Sequence, residues 1–152
     1  MTRKLCLLGV TLLGCAALGA MAGATQSSGD ASTSYKGLEI TAKGVERATR
    51  VSLQDCPPGE NRVRGVIRPS EDTEFATVQI DVKVLPSFEP VELAKPLLYD
   101  DDGNEYKTAQ SFRDVDSVPA YTCNFSFRVP KGTKATRFAI GDASFDISAL
   151  EK

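Results

Sequence analysis

The chain contains no histidine and no tryptophan. Without an imidazole, Ser-His-Asp and Cys-His catalysis are excluded, as is every histidine-bearing metal site. Without an indole, a sugar ring loses its usual stacking platform. Glycoside hydrolysis needs a placed pair of carboxylates, and no pair stands out here. The expectation is therefore a protein that is not an enzyme and takes no cofactor. No window carries a long 3.6-residue hydrophobic period, so helices are expected to be short at most. Charge of one sign is not in excess either: 18 basic residues stand against 20 acidic ones. Removing Arg3 and Lys4 from those 18 leaves 16 against 20, a net charge of -4. Such a balance gives no electrostatic footprint for nucleic acid.

The 152 residues are 41% apolar and 25% charged, enough for one globular domain behind a targeting segment. Arg3-Lys4 is a short positive region, Leu5 to Leu13 is apolar, and small residues follow through Ala24. That is the plan of a secretory signal peptide over residues 1–24. Two processing routes remain open. Leu12-Leu13-Gly14-Cys15 resembles a bacterial lipobox, which would make Cys15 the lipidated first residue of the mature chain. Ala22-Gly23-Ala24 resembles an ordinary cleavage site, which would release a chain starting at Thr25. A retained membrane anchor over Leu5 to Ala24 is the third option. Its length approaches a bilayer span, but it is rich in Gly and Ala and no Lys/Arg stop follows directly. Residues 25–34, rich in Ser, Thr and Gly, are expected to form a flexible linker. The domain would occupy residues 35–150, outside the cytoplasm, either held at the cell envelope by a lipid or soluble in the periplasm or medium.

Strict alternation marks the domain as all-β. From Ala76 to Val84, Ala76, Val78, Ile80, Val82 and Val84 point one way, while Thr77, Gln79, Asp81 and Lys83 point the other. Leu38 to Ala42 alternates too, and Val45 to Leu53 resumes after Gly44, with Arg47 as the exception. Arg62 to Arg68 forms a weaker strand. Val91 to Tyr99 is expected to be an edge strand because Pro96 lies inside it. Tyr106 to Gln110 is a short return, and Ser111 to Ala120 a loop. Thr122 to Val129, Ala135 to Ile140 and a last strand through Ala143, Phe145 and Ile147 complete the set. Seven to eight such strands, separated by turn residues, indicate an immunoglobulin-like antiparallel β-sandwich. Phe125, Phe127, Phe138 and Phe145 are expected to face Val78, Ile80 and Val82 across the gap between its sheets.

Both processing routes leave Cys56 and Cys123 as the domain's two cysteines, and an oxidising compartment then favours one disulfide between them. Asp100-Asp101-Asp102-Gly103-Asn104 is first of all a hairpin turn. Its carboxylates make Asp100, Asp102 and Asn104 weak candidates for a calcium site, although the glycine is misplaced for an EF-hand loop. Arg62, Arg64 and Arg68, with Arg128 beside them, form a candidate basic surface for an acidic partner or an anionic envelope polymer, and equally suit a solvated sheet face. Tyr35, Tyr99, Tyr106 and Tyr121 flank turns and strand ends, where exposed tyrosines can anchor a partner.

Four stretches occur in an order that resembles a family of exported bacterial immunoglobulin-like domains of unknown function, similar in fold to a mycobacterial immunoprotective extracellular antigen. They are Gly44-Val45-Glu46, Glu74 to Val84, Leu97-Leu98-Tyr99-Asp100-Asp101-Asp102-Gly103-Asn104-Glu105-Tyr106, and Phe127-Arg128-Val129-Pro130-Lys131-Gly132. The resemblance covers about residues 37 to 148. It implies a domain behind a signal peptide or lipobox and a polar linker, with no established catalytic residues. The expected function is that of a non-enzymatic binding or structural accessory of the cell envelope. The alternatives are a freely secreted protein that binds a host or competitor protein and a weak calcium-binding module.

Overall fold

A computed structural model describes residues 31–151. Within them the strands run in chain order as β1 (Ala31–Tyr35), β2 (Leu38–Ala48), β3 (Val51–Gln54), β4 (Val63–Ile67), β5 (Thr73–Val84), β6 (Leu97–Asp100), β7 (Glu105–Lys107), β8 (Ala120–Pro130), β9 (Ala135–Ile140) and β10 (Ala143–Asp146). One sheet has the order β1-β2-β5-β8 and a second the order β10-β9-β6-β7, antiparallel throughout. The β3–β4 hairpin makes a third, two-stranded sheet.

The two four-stranded sheets share one core. Leu38, Ile40, Val78, Ile80, Phe125 and Phe127 come from the first, and Leu98, Phe138, Ile140 and Phe145 from the second. Phe138 is the hub, its ring centroid 6.2 Å from Phe125, 6.1 Å from Phe127 and 6.0 Å from Phe145. Fully burying one such ring contributes about 1.5–3 kcal/mol from area alone. The sequence-based face assignment needs correcting here. Phe125 pairs with Val78 on the neighbouring strand of the same sheet, so only Phe138 and Phe145 meet the β5 valines across the core.

β5 has a second buried face at one end. Phe75 points away from the main core and, with Val51 and Leu53, forms a small satellite core under the β3–β4 hairpin. β2 and β5 therefore act as one long hairpin whose connection folds back over the sheet. Gly44 does not break β2. The ladder shifts between Ala42 and Gly44, leaving Lys43 as the extra residue of a bulge. Arg47, the exception in the alternation, turns its guanidinium to Glu151, Glu74 and the Thr133 carbonyl, with Nε 2.6 Å from Glu151 Oε1. That contact ties the C-terminal tail to β2.

Two expected boundaries move. Residues 31–34 are not linker: Ala31–Tyr35 pairs along β2 from Ala31↔Ala42 to Tyr35↔Leu38. Tyr35 is buried rather than displayed, and a Cβ on Gly141, whose φ is +59, would stand 2.5 Å from its hydroxyl. The strand expected over Val91 to Tyr99 is only Leu97–Asp100, and it lies inside its sheet between β9 and β7. Pro96 lacks the N–H a ladder needs, so the strand starts just after it and the preceding residues remain irregular.

Candidate functional site

β3 ends in Gln54, and the next three residues organise one flank of the molecule. Asp55 is buried among three donors. Its Oδ1 accepts from Arg64 Nε and from the Ser111 N–H, both at 2.8 Å, and its Oδ2 lies 2.9 Å from Arg113 Nε. Burial raises the proton affinity of this carboxyl. The Arg64 and Ser111 hydrogen bonds and the charges of Arg64 and Arg113 outweigh burial and hold its pKa below the usual 3.8. Cys56 pairs in parallel with Phe112 and is bridged to Cys123, with the Cα atoms 5.6 Å apart. The peptide bond from Cys56 to Pro57 is cis. Arg62 then reaches over, donating to the Pro57 carbonyl at 3.1 Å, the Arg113 carbonyl at 2.6 Å and Asp114 Oδ2 at 3.1 Å.

These contacts fix residues 111–116 against the sandwich, and a second irregular segment lies opposite them. Phe88 and Leu93 pack onto the main core from that side, where Gly37 lets the chain pass so closely that a Cβ would stand 2.5 Å from Phe88 Cα. Between the two segments runs a groove of about 330 Å³. Phe88, Leu93, Phe112 and Val115 make its apolar floor, and its rim carries Glu92, Asp116, the Arg62-paired Asp114 and the Asp55-paired Arg113, acidic on balance. Val91, on the lip, is 44% exposed. Tyr121 braces this end by donating to the Val115 carbonyl at 3.1 Å, and burial pushes its phenol up to about 12.

Asp55 makes the fold acid-sensitive in a defined window. Its folded pKa is depressed, so its stabilisation is complete above 3.8 and is lost as pH falls through the lower folded value. Asp55→Asn is expected to lower stability by about 2 kcal/mol at neutral pH and to flatten the acid limb below 3.8. Urea unfolding at a series of pH values reads both effects.

The other sequence-based candidates separate in space. Arg62 and Arg64 do not form a basic stripe with Arg68, because both turn to Asp55, Asp114 and backbone carbonyls of their own chain. Arg68 lies beyond the far end of β4, near Arg50 and Lys131. Arg128 lies over the Phe75 ring, 5.8 Å from its centroid. Cys15 lies outside the described residues.

In the acidic turn, Asp100 takes the Asn104 N–H at 2.7 Å, the Asn104 side-chain amide at 2.9 Å and the Tyr106 hydroxyl at 2.7 Å. The Asn104 side-chain bond leads in holding the Asp100 pKa below 3.8, and burial opposes it. Asp102 joins this set through its backbone N–H and not its carboxylate, so Asp100 serves as the acceptor that closes the turn. Among the described residues no group of three or more His, Cys, Asp or Glu is placed to hold a metal. Calcium raised to millimolar concentration is expected to leave the melting temperature unchanged, as a thermal-unfolding titration would record.

Sequence reasoning missed Gln110. It is fully buried, and its amide nitrogen donates to the Gln54 and Asn124 carbonyls, each at 2.6 Å, while its oxygen accepts the Ser126 N–H at 2.7 Å. β8 is the outermost strand of its sheet. One side chain thus hydrogen-bonds to the β8 edge as a neighbouring strand would, and joins it to β3. The only signal in the sequence was a lone glutamine close to the Ser111 loop.

No family model and no curated protein matches the chain. Among solved structures it is similar to an uncharacterised β-sandwich protein from Clostridium difficile 630. The identity is 11% and the TM-score 0.43, over 72% of this chain and 82% of the other.

Proposed function

We propose that this is an exported, non-enzymatic binding domain of the cell envelope, lipid-anchored through Cys15 and immunoglobulin-like in architecture. The anchor rests on the Leu12-Leu13-Gly14-Cys15 pattern, and export is further supported by the buried Cys56–Cys123 bridge, since such bonds persist in oxidising compartments. The observation that carries a binding role is the groove between two irregular segments, both pinned to a rigid sandwich. Loops positioned by a rigid scaffold are where binding residues concentrate. Its apolar floor and the Glu92 and Asp116 carboxylates on its rim suit a protein segment carrying aliphatic and basic side chains.

Two experiments test this. A photo-crosslinking residue at Val91 is expected to capture one envelope protein, and Glu92→Lys with Asp116→Lys to abolish that capture. Capture unchanged by the double reversal counts against the groove. Radioactive fatty acid incorporated only when Cys15 is present supports the anchor. A mature N-terminus at Thr25 would instead support a freely secreted protein that binds a host or competitor protein.

A further inference from the structure

Arg68 has a different setting from the arginines it was grouped with. It sits at the opposite end of the sandwich from the acidic groove, where three turns meet. The β2–β3 turn brings Thr49 and Arg50, the β4–β5 turn brings Arg68 and Ser70, and the β8–β9 turn brings Lys131. Together they line an open cleft of about 450 Å³. Arg50, Arg68 and Lys131 are exposed, and among the described residues none of them is in an ion pair. Glu71 is the one carboxylate in the lining. The full chain carries a net charge of -2, so three cations against one anion in a single cleft run against the charge of the molecule. A surplus of hydrated cations over counter-charges raises the local potential and attracts multivalent anions.

The direction of β1 indicates which anion is near. β1 starts at the level of Ala42 and runs toward Leu38, away from the cleft end. Ala31, the first described residue, therefore lies nearer the cleft end than Tyr35 does. On the reading that the chain is anchored through Cys15, the domain is tethered at a membrane, whose headgroup phosphates are the nearest multivalent anions. We propose that the cleft binds the phosphate groups of anionic phospholipid headgroups, seating the domain end-on and presenting the acidic groove away from the bilayer. The arrangement also keeps the acidic rim clear of a negative surface. A single lipid chain gives marginal anchoring, and a basic patch supplies a second membrane signal.

The test uses the protein recovered from producing cells, with a fluorophore at Thr49→Cys beside the cleft or at Val118→Cys near the opposite end. It is mixed with vesicles of phosphatidylcholine alone, or of phosphatidylcholine with phosphatidylglycerol, that carry a headgroup quencher. The Thr49 label is expected to be quenched on phosphatidylglycerol vesicles and the Val118 label not, with the effect fading as salt rises. Arg50→Gln, Arg68→Gln and Lys131→Gln together are expected to weaken the preference for phosphatidylglycerol on the order of 100-fold at low salt. The equally charged control Lys83→Gln, Lys95→Gln and Lys107→Gln should keep it. Equal quenching on both vesicles, or equal loss in the control, overturns the proposal. So does competition by millimolar pyrophosphate without a phosphatidylglycerol preference, which would make the cleft a site for soluble phosphate. The mass of the mature N-terminus separates the two readings. Lipid on Cys15 without cleft-dependent quenching removes the cleft alone, and quenching without lipid removes the anchor alone.

Discussion

Gln110→Ala is expected to lower stability by about 4 kcal/mol, because it leaves the Gln54 and Asn124 carbonyls and the Ser126 N–H unpaired in a buried place. Each of those groups gives up water on folding, and the amide replaces that water with short, directed bonds. Gln110→Glu is the sharper variant. Its carboxylate can still accept from Ser126, but it directs an oxygen at two carbonyls where the wild type places a donor. It is expected to fold only as the protonated acid, so its stability should rise as pH falls, opposite in sign to the Asp55 contribution. Hydrogen exchange at the Ser126 amide, slow in the wild type, should become fast in Gln110→Ala. Denaturant unfolding that finds Gln110→Ala within about 1 kcal/mol of the wild type, below the cost of one unsatisfied buried group, would show that the amide does not hold the β8 edge.

The second large effect is expected at the disulfide. Cys56 and Cys123 are 67 residues apart in sequence, and opening so long a loop returns entropy to the unfolded chain equivalent to about 4 kcal/mol. Replacing both by alanine should lower stability by that amount. The bridge joins the segment after β3 to the β8 strand, so its loss should also loosen residues 111–116 and the groove they border. The β2–β5 ladder and the Phe138 hub do not depend on it and should persist in the far-ultraviolet spectrum. A helical spectrum for the double variant would contradict the two-sheet account.

What was legible in the sequence follows from how each residue reports its surroundings. β5, β8 and β10 alternate because one face is buried along most of their length, whereas β9 buries Phe138, Ala139 and Ile140 in succession, and the cysteine pair was legible from its count and the compartment expected for it. β1 was not legible as a strand. Its residues are Ala31, Ser32, Thr33, Ser34 and Tyr35, and an edge strand that buries chiefly its tyrosine has the composition of a linker. The position of β6 was misjudged because Pro96 was placed inside the strand instead of before it. Phe75 lies outside the face assigned from Ala76 to Val84, because alternation assigns one buried face whereas β5 buries a second beneath the hairpin. The arginines misled for another reason. Spacing along β4 says which side chains share an edge, but not that the buried carboxylate of Asp55, nine positions before Arg64, will claim one of them and the exposed Asp114, 52 positions after Arg62, another. The cleft of Arg50, Arg68 and Lys131 draws on three separate turns, so no local pattern could announce it.

Mass spectrometry of the protein from producing cells, alkylated before any reduction, tests the account most directly. The expected result is a Cys56–Cys123-linked peptide together with an N-terminal peptide that begins at lipid-bearing Cys15. Alkylated thiols at both Cys56 and Cys123, in a chain that still begins at Met1, would contradict it.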